Sequence, residues 1–309
     1  MADSPRTDLS YFLAAKRQGR KFSVLTCYDA AFARLMEAAG VEMLLVGDTA
    51  GEVVLGLPST RDIDPTVLIA LTAAVRRGAP RCFVLADLPY QARVGPIDQT
   101  VDWCRRFQEE SGCDAVKIEV TTADVPLVSA VREAGIPVVA HLGLLPQYVD
   151  PHQGYRARAR DADSALALIE EADRLEHAGA AMLLLEAVAS PVARAITGRA
   201  QVPVIGCVAG PHCDGTVVVL HDLIHLGGGH PPRGIQPYAD LSTVLDRAFG
   251  EYVADIHAGR FPREQDAITM KPGELDKLAA RHAVAPSNRQ APKHPTPPPD
   301  TANPKNRGQ

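Results

Sequence analysis

Long apolar runs are missing from the sequence. No stretch approaches the roughly 18 uninterrupted apolar residues that a membrane-spanning helix needs, so no membrane partner is predicted. Residues 1–8 lack the apolar segment of a secretory signal. Both absences favour a cytoplasmic protein.

Closely spaced cysteine pairs are also missing. The six cysteines form no C-x-x-C motif, and Cys27, Cys82 and Cys207 lie within apolar segments. In a chain of this size, such cysteines are typical of reduced core thiols, not of a disulfide framework. A redox or zinc role is the disfavoured alternative.

An excess of positive charge is missing as well. Lys and Arg number 32 against 37 Asp and Glu, which gives a formal net charge of −5. Proteins that bind nucleic acid usually present a basic face, so nucleic acid is not expected as a partner. The apolar content of 46% and the charged content of 22% are ordinary for a soluble globular protein.

What the sequence does contain is a regular alternation of strand and helix patterns. Eight short apolar segments between residues 22 and 222 have the composition of buried strands, and helical patterns separate most of them. The segments are Phe22–Cys27, Met43–Val46, Cys82–Ala86, Ala115–Ile118, Pro137–Ala140, Met182–Leu185, Val202–Gly206 and Thr216–Leu220. Such alternation predicts an α/β fold with a parallel sheet, and eight units over roughly 200 residues favour a (β/α)8 TIM barrel over a doubly wound sheet.

The residues beyond the eighth strand divide into two parts. Tyr238–His257 and Gly273–Arg281 carry helical patterns and are predicted to pack outside the barrel as extra C-terminal helices. From residue 284 onward the sequence is rich in Pro and polar residues, with too little apolar surface to fold. We therefore predict one catalytic domain over residues 1–283 and a disordered Pro-rich tail over residues 284–309.

Polar side chains close five consecutive predicted strands. They are Asp48 and Thr49 after the second strand, Asp87 after the third, Lys117 and Glu119 at the fourth, His141 after the fifth and Glu186 after the sixth. In a TIM barrel the carboxyl ends of all strands open on one face, where active sites lie. Each residue taken singly has an ordinary explanation, such as a helix cap or a salt bridge. The whole set indicates a functional site.

Three carboxylates of this set come from consecutive strands: Asp48, Asp87 and Glu119. Carboxylates held close together repel one another unless a cation or protons intervene. Oxygen ligands of this kind suit a hard divalent ion, so the sequence predicts a Mg²⁺ site at the barrel mouth.

A larger set of ordered motifs resembles one enzyme family. The motifs include Leu25–Asp29, Val46–Thr49, Ala86–Pro89, Val116–Glu119, His141–Leu144, Pro146–Gln147, Leu185–Glu186 and Leu220–Asp222. In this order, over residues 9–280, the chain is similar to ketopantoate hydroxymethyltransferase, also called 3-methyl-2-oxobutanoate hydroxymethyltransferase, an enzyme family of pantothenate biosynthesis.

The resemblance implies an activity and site roles. It implies a transferase that moves a one-carbon unit from the co-substrate 5,10-methylenetetrahydrofolate to C3 of 3-methyl-2-oxobutanoate, giving 2-dehydropantoate through a Mg-bound enolate. It places the Mg²⁺ on the three carboxylates named above and the general base at Glu186. It also places Thr49 and Lys117 on the carboxylate of the 2-oxo acid. The predicted substrate-binding residues are Asp48, Thr49, Asp87, Lys117 and His141. The resemblance also implies a homo-oligomer, such as a decamer.

Several positions near the site depart from the family pattern. Thr49 stands where the family usually has Ser, and Val208 stands where it usually has the second Gly of Gly-Ile-Gly. These departures leave open a paralogue that hydroxymethylates a different 2-oxo acid in a specialised pathway. A Mg-dependent 2-oxo acid C–C lyase of the phosphoenolpyruvate mutase/isocitrate lyase type is the second alternative, although the sequence has no Lys-Lys-Cys-Gly-His segment. A non-catalytic binding protein is the third.

Overall fold

A computed structural model of the chain describes residues 6–149, 156–227 and 234–281. The tail predicted from residue 284 lies outside the described residues. Among the residues described, no helix combines the length and apolar character that crossing a bilayer demands.

A closed barrel of parallel strands stands at the centre of the described residues. The strands are β1 Phe22–Thr26, β2 Met43–Val46, β3 Phe83–Asp87, β4 Ala115–Glu119, β5 Val138–Gly143, β6 Met182–Glu186, β7 Val204–Cys207 and β8 Gly215–Val218. Each strand pairs in parallel with the next, and β1 pairs with β8 to close the ring. The predicted (β/α)8 barrel is confirmed, and the doubly wound alternative is wrong.

Helices alternate with the strands. In the described residues they are α1 Leu9–Arg17, α2 Ala30–Ala39, α3 Ala50–Val53, α4 Pro65–Gly78, α5 Tyr90–Arg93, α6 Ile97–Ser111, α7 Val125–Glu133, α8 Ala162–His177, α9 Ser190–Arg199, α10 Leu220–Leu223, α11 Leu241–His257 and α12 Glu274–Arg281. The bounds of α2 match the sequence pattern because both ends carry strong signals. Asp29 caps the first turn by accepting hydrogen bonds from two backbone N–H groups, and Gly40 ends the helix in the left-handed conformation.

Apolar side chains fill the barrel and close one of its ends. An interior cluster includes Met43 and Leu45 of β2, and a second cluster lies between the strands and the surrounding helices. Phe12 of α1 is fully buried, with its ring 4.8 Å from that of Phe22 and 5.3 Å from that of Phe83. Because Phe22 and Phe83 begin their strands, α1 covers the amino ends of the barrel, and the carboxyl ends are left for a site.

One difference from the sequence pattern lies at the eighth strand. The pattern predicts a strand over Thr216–Leu220, whereas β8 ends at Val218 and Leu220 begins α10. The backbone N–H of Leu220 donates a hydrogen bond to the side-chain hydroxyl of Thr26 on β1, 2.8 Å away, instead of to a backbone oxygen of that strand. An apolar run alone cannot reveal that the chain turns at this point.

All six cysteines are free thiols, as predicted, and five of them are buried. Burial raises the pKa of Cys104 and that of Cys113 to about 12, so these thiols stay protonated and unreactive at neutral pH.

The chain divides into two compact units, residues 1–246 and residues 247–309. The first contains the barrel. In the described part of the second, one face of α11 carries the exposed apolar side chains Phe249, Tyr252, Val253 and Ile256. The single predicted domain over residues 1–283 stays a prediction.

Candidate active site

A pocket of about 680 Å³ opens at the carboxyl ends of the strands. Its lining includes every predicted site residue: Asp48, Thr49, Asp87, Lys117, Glu119, His141 and Glu186. A more open depression of about 740 Å³ lies on the outside of the barrel, beside α7 and α8, and its lining includes none of these side chains. The pocket at the barrel mouth is therefore the candidate site.

Strand register sets the polar residues side by side. Asp87 of β3 aligns with Lys117 of β4, and Glu119 of β4 aligns with His141 of β5. Successive side chains of a strand point to opposite faces. Ile118 packs in the cluster between strands and helices, so Lys117 and Glu119 on either side of it point into the barrel.

Lys117 and Asp87 form a buried ion pair. The ammonium nitrogen lies 2.8 Å from Asp87 Oδ1, and both side chains are almost fully buried. Burial lowers the pKa of Lys117, but the carboxylates of Asp87, Asp48 and Glu119 outweigh it and raise the pKa above its usual value. Lys117 therefore stays positively charged in the pocket.

The remaining carboxylates are incompletely neutralised. Burial raises the pKa of Asp48 well above its usual value, and the charge of Asp87 raises it further. Burial also raises the pKa of Glu119, against the opposing effect of Lys117. One ammonium cannot balance three buried carboxylates, so a further cation would be stabilised among them.

Both carboxylate oxygens of Asp87 face polar neighbours. Its Oδ2 accepts a hydrogen bond from the backbone N–H of Asp48, at 3.2 Å. Its Oδ1 is the atom that pairs with the Lys117 ammonium. The carboxylate oxygens of Asp48, Asp87 and Glu119 are donors of the kind that a hard cation prefers. Across the described residues, however, no three His, Cys, Asp or Glu side chains are already arranged as a metal group. The predicted ligand set stays a prediction.

His141 lies between Lys117 and Glu186. Its Nδ1 is 3.3 Å from the Lys117 ammonium, and its Nε2 is 3.3 Å from Glu186 Oε2. Burial, followed by the charge of Lys117, lowers the pKa of His141, so the ring is neutral at pH 7. Since an ammonium can only donate, Nδ1 accepts and the proton resides on Nε2, on the side of Glu186.

Glu186 is the least buried carboxylate of the predicted set. Its side chain is 23% exposed, compared with 1–2% for Glu119 and Asp87. It is the last residue of β6, and the next residue, Ala187, has a left-handed backbone with φ 49°. A carboxylate that is open to the pocket and bordered by a neutral imidazole can accept a proton from a bound molecule.

Tyr28 is a pocket neighbour that directly follows the first predicted strand, although no role is predicted for it from the sequence. Its hydroxyl lies 2.7 Å from the hydroxyl of Thr49. Burial raises the pKa of Tyr28 to about 12, so the phenol stays protonated and can donate to Thr49. Thr49 is then free to donate its own hydrogen into the pocket.

Gln147 is a residue that the strand-end pattern misses. It lies in a 3-10 helix, Pro146–Tyr148, that follows β5, and it is 1% exposed. Its side chain donates to Asp48 and its backbone donates to Glu119. The Pro146–Gln147 motif contributes to the family resemblance, but no local pattern assigns it a role.

Val208 shows the physical consequence of one departure from the family pattern. It lines the pocket, is 43% exposed and has φ 51°, a conformation that favours glycine. For a β-branched residue this costs on the order of 1–3 kcal/mol. Because Val208 is 43% exposed, core packing does not account for it, and its side chain occupies part of the pocket wall where a glycine would have no side chain.

Comparisons with known proteins give consistent results. A family model described as ketopantoate hydroxymethyltransferase matches residues 6–264. A 3-methyl-2-oxobutanoate hydroxymethyltransferase of Halalkalibacterium halodurans is 40% identical over 267 residues, which cover 86% of this chain and 96% of the relative. An enzyme of the same name from Bacillus cereus is 42% identical over 264 residues, covering 85% and 95%.

Solved structures with the same fold are more distant in sequence. A phosphonopyruvate hydrolase in complex with oxalate and Mg²⁺ aligns with a TM-score of 0.56 at 14% identity, covering 89% of this chain and 95% of the other. A 2,3-dimethylmalate lyase of the PEP mutase/isocitrate lyase superfamily aligns with a TM-score of 0.53 at 17% identity, covering 89% and 99%. At such identities the likeness establishes the barrel fold alone.

Proposed function

This chain belongs to the ketopantoate hydroxymethyltransferase family, and we propose that it transfers a one-carbon unit from 5,10-methylenetetrahydrofolate to C3 of 3-methyl-2-oxobutanoate, giving 2-dehydropantoate. The observation that carries the proposal is the placement of Glu186. It is a partly exposed carboxylate beside neutral His141, in the same pocket as a charged lysine and three buried carboxylates. Removal of a C3 proton requires a base that faces the binding site of the anionic oxo acid.

The acceptor's carboxylate is proposed to bind Lys117 and Thr49. Lys117 supplies a permanent positive charge, and the Thr49 hydroxyl, 2.7 Å from that of Tyr28, can donate its hydrogen to the ligand when Tyr28 donates to it. Two contacts at one end of a small molecule fix its orientation, which sets the position of C3 relative to Glu186.

Asp48, Asp87 and Glu119 are the residues proposed to hold Mg²⁺. The surplus of buried negative charge and the oxygen donors of the three side chains support this assignment. When bound, the ion supplies Lewis-acid polarisation of the 2-oxo group, which makes the C3 proton more acidic.

Glu186 is proposed to take the C3 proton onto a carboxylate oxygen. The C3–H bond breaks, and its electron pair is shared between C3 and the adjacent carbonyl. His141 Nε2 lies 3.3 Å from Glu186 Oε2, and its proton stays on the ring because burial keeps the imidazole neutral. C3 then bonds to the methylene carbon of the folate, and both carbon–nitrogen bonds of that carbon break in turn. Water supplies the hydroxyl oxygen of the product, and the two folate nitrogens take up the proton removed from C3 and one proton of the water.

A paralogue acting on a different 2-oxo acid is the second candidate, and Val208 is the observation that favours it. Its side chain reduces the space on one wall of the pocket. A C–C lyase shares the fold but gains no support from the site, because the structural likeness concerns the barrel alone.

Proton exchange in D2O distinguishes these functions. The chain is incubated with a series of 2-oxo acids and Mg²⁺, and the C3 proton signal is followed by NMR. We expect exchange with 3-methyl-2-oxobutanoate that stops on addition of EDTA. Faster exchange with another 2-oxo acid would favour the paralogue, and cleavage products would favour the lyase. The absence of exchange with every acid would contradict the proposed chemistry.

Self-association into a homo-oligomer is also proposed. On α11, Phe249, Tyr252, Val253 and Ile256 recur at intervals of three and four residues and are 41–61% exposed, which forms an apolar stripe suited to protein contact. Light scattering coupled to size-exclusion chromatography measures the mass. We expect a multiple of 33.0 kDa, and a monomer at micromolar concentration would contradict the proposal.

The absence of a nucleic-acid partner and the cytoplasmic location stay predictions.

A further inference from the structure

Gln147 connects the ends of three neighbouring strands. Its Nε2 donates hydrogen bonds to Asp48 Oδ2 at 2.8 Å and to the backbone oxygen of Leu88 at 3.1 Å. Its backbone N–H donates to Glu119 Oε2 at 3.0 Å. Asp48 follows β2, Leu88 follows β3 and Glu119 ends β4, so one residue spans the part of the mouth that carries the carboxylates.

The orientation of the Gln147 amide is determined by its surroundings. Asp48 Oδ2 and the oxygen of Leu88 are both acceptors, so only the NH2 group can face them. The reversed amide would direct its oxygen at a carboxylate and leave the Leu88 oxygen without this donor. The amide oxygen Oε1 therefore faces away from Asp48, and it is buried without a hydrogen-bond partner among the described residues.

Gln147 orients Asp48 without neutralising it. Asp87 is held by a lysine, whose positive charge cancels much of its negative charge. Asp48 is held by a neutral amide, which brings no positive charge to compete with a cation. A partner of this kind restricts the side chain to one rotamer, and outer-sphere hydrogen bonds of this type govern how well a carboxylate binds a metal.

We propose that Gln147 is a positioning residue that fixes Asp48 and Glu119 in the arrangement that binds a divalent cation, through its side-chain amide on one and its backbone N–H on the other. The inference rests on the proposed Mg²⁺ site. The two contacts are separable, because substitution of the side chain removes the bond to Asp48 and leaves the backbone bond to Glu119.

Gln147→Met tests the side-chain contact. Methionine has a similar length and volume but cannot donate a hydrogen bond. Mn²⁺ serves as the probe because its binding is measured by electron paramagnetic resonance without substrate. We expect the Kd of Gln147→Met for Mn²⁺ to rise by about 10–100-fold. Excess Mg²⁺ should restore turnover, a rescue that loss of packing alone would not give.

Gln201→Met is the matched control. Gln201 is exposed, and its Nε2 donates to the backbone oxygen of Arg199 at 3.2 Å, so the same change removes a similar hydrogen bond away from the pocket. The Kd of Gln201→Met for Mn²⁺ should equal that of the unaltered chain. Circular dichroism establishes that each variant is folded. If Gln147→Met does not fold, Gln147→Asn takes its place. Asparagine keeps the amide but withdraws it from Asp48, so we expect the Kd for Mn²⁺ to rise by about 10-fold.

Each outcome has a defined meaning. An unchanged Kd in a folded Gln147 variant, alongside tight binding by the unaltered chain, would overturn the inference and leave the Mg²⁺ site standing. Absence of Mn²⁺ binding by the unaltered chain would overturn the Mg²⁺ site and the inference together. A raised Kd confined to the Gln147 variants supports the inference.

Discussion

Glu186→Gln is expected to slow exchange of the C3 proton of 3-methyl-2-oxobutanoate by about 10²–10⁴-fold. Glutamine keeps the size and shape of the side chain but cannot accept a proton at neutral pH. The neighbouring His141 cannot substitute for it, because its Nε2 already carries a proton and its Nδ1 faces the Lys117 ammonium. NMR in D2O measures the exchange rate.

Two further measurements make the Glu186 result specific. Binding of the oxo acid to Glu186→Gln should persist, since its carboxylate is proposed to bind Lys117 and Thr49. The matched control is Glu52→Gln, because Glu52 lines the same pocket but lies outside the proposed exchange machinery. The rate of C3 proton exchange in Glu52→Gln should stay close to that of the unaltered chain. Normal exchange in Glu186→Gln would remove Glu186 from the role of base.

Asp87→Asn is expected to abolish Mn²⁺ binding and turnover and to destabilise the fold. The substitution removes a proposed ligand charge and leaves Lys117 without its partner at 2.8 Å. Breaking an isolated buried ion pair costs about 3–5 kcal/mol. In this pocket Asp48 and Glu119 still surround Lys117, and the substitution also removes the repulsion between Asp87 and these two carboxylates. We therefore expect the free energy of unfolding to fall by only about 1–3 kcal/mol. Urea denaturation measures the free energy of unfolding.

Asp114→Asn is the matched control for Asp87→Asn. Asp114 precedes β4 at the amino ends of the strands, where it pairs with Arg76 and accepts a hydrogen bond from the backbone N–H of Val84 at 2.8 Å. Its substitution should lower stability while leaving Mn²⁺ binding intact. Equal loss of Mn²⁺ binding in both variants would show that the effect of Asp87→Asn reflects unfolding and not lost ligation.

Parallel topology explains why much of the site is predictable from sequence. The apolar run of β2 has the same bounds in the sequence pattern and in the structure, Met43–Val46. Once the strands are known to be parallel, the residue that follows each one must lie at the same edge of the sheet. Asp48 and Glu186 can therefore be assigned to one pocket although the chain between them is long.

Gln147 and Val208 illustrate what the sequence cannot specify. Gln147 reaches Asp48 across 99 positions from a short 3-10 helix, and neither the helical nor the strand period applies to such a turn. Val208 follows an apolar strand and looks like one more buried residue, yet its backbone is left-handed and its side chain is exposed to the pocket. Both properties depend on how the loops close over the barrel mouth.

The most direct test of the proposed function follows a labelled carbon. The unaltered chain is mixed with 3-methyl-2-oxobutanoate, Mg²⁺ and 5,10-methylenetetrahydrofolate labelled with ¹³C at the methylene group, and the products are recorded by NMR. We predict that the label appears in a hydroxymethyl group bonded to C3, and that EDTA or Glu186→Gln prevents its appearance. Label that stays on the folate while the oxo acid remains unchanged or is cleaved would contradict the transfer.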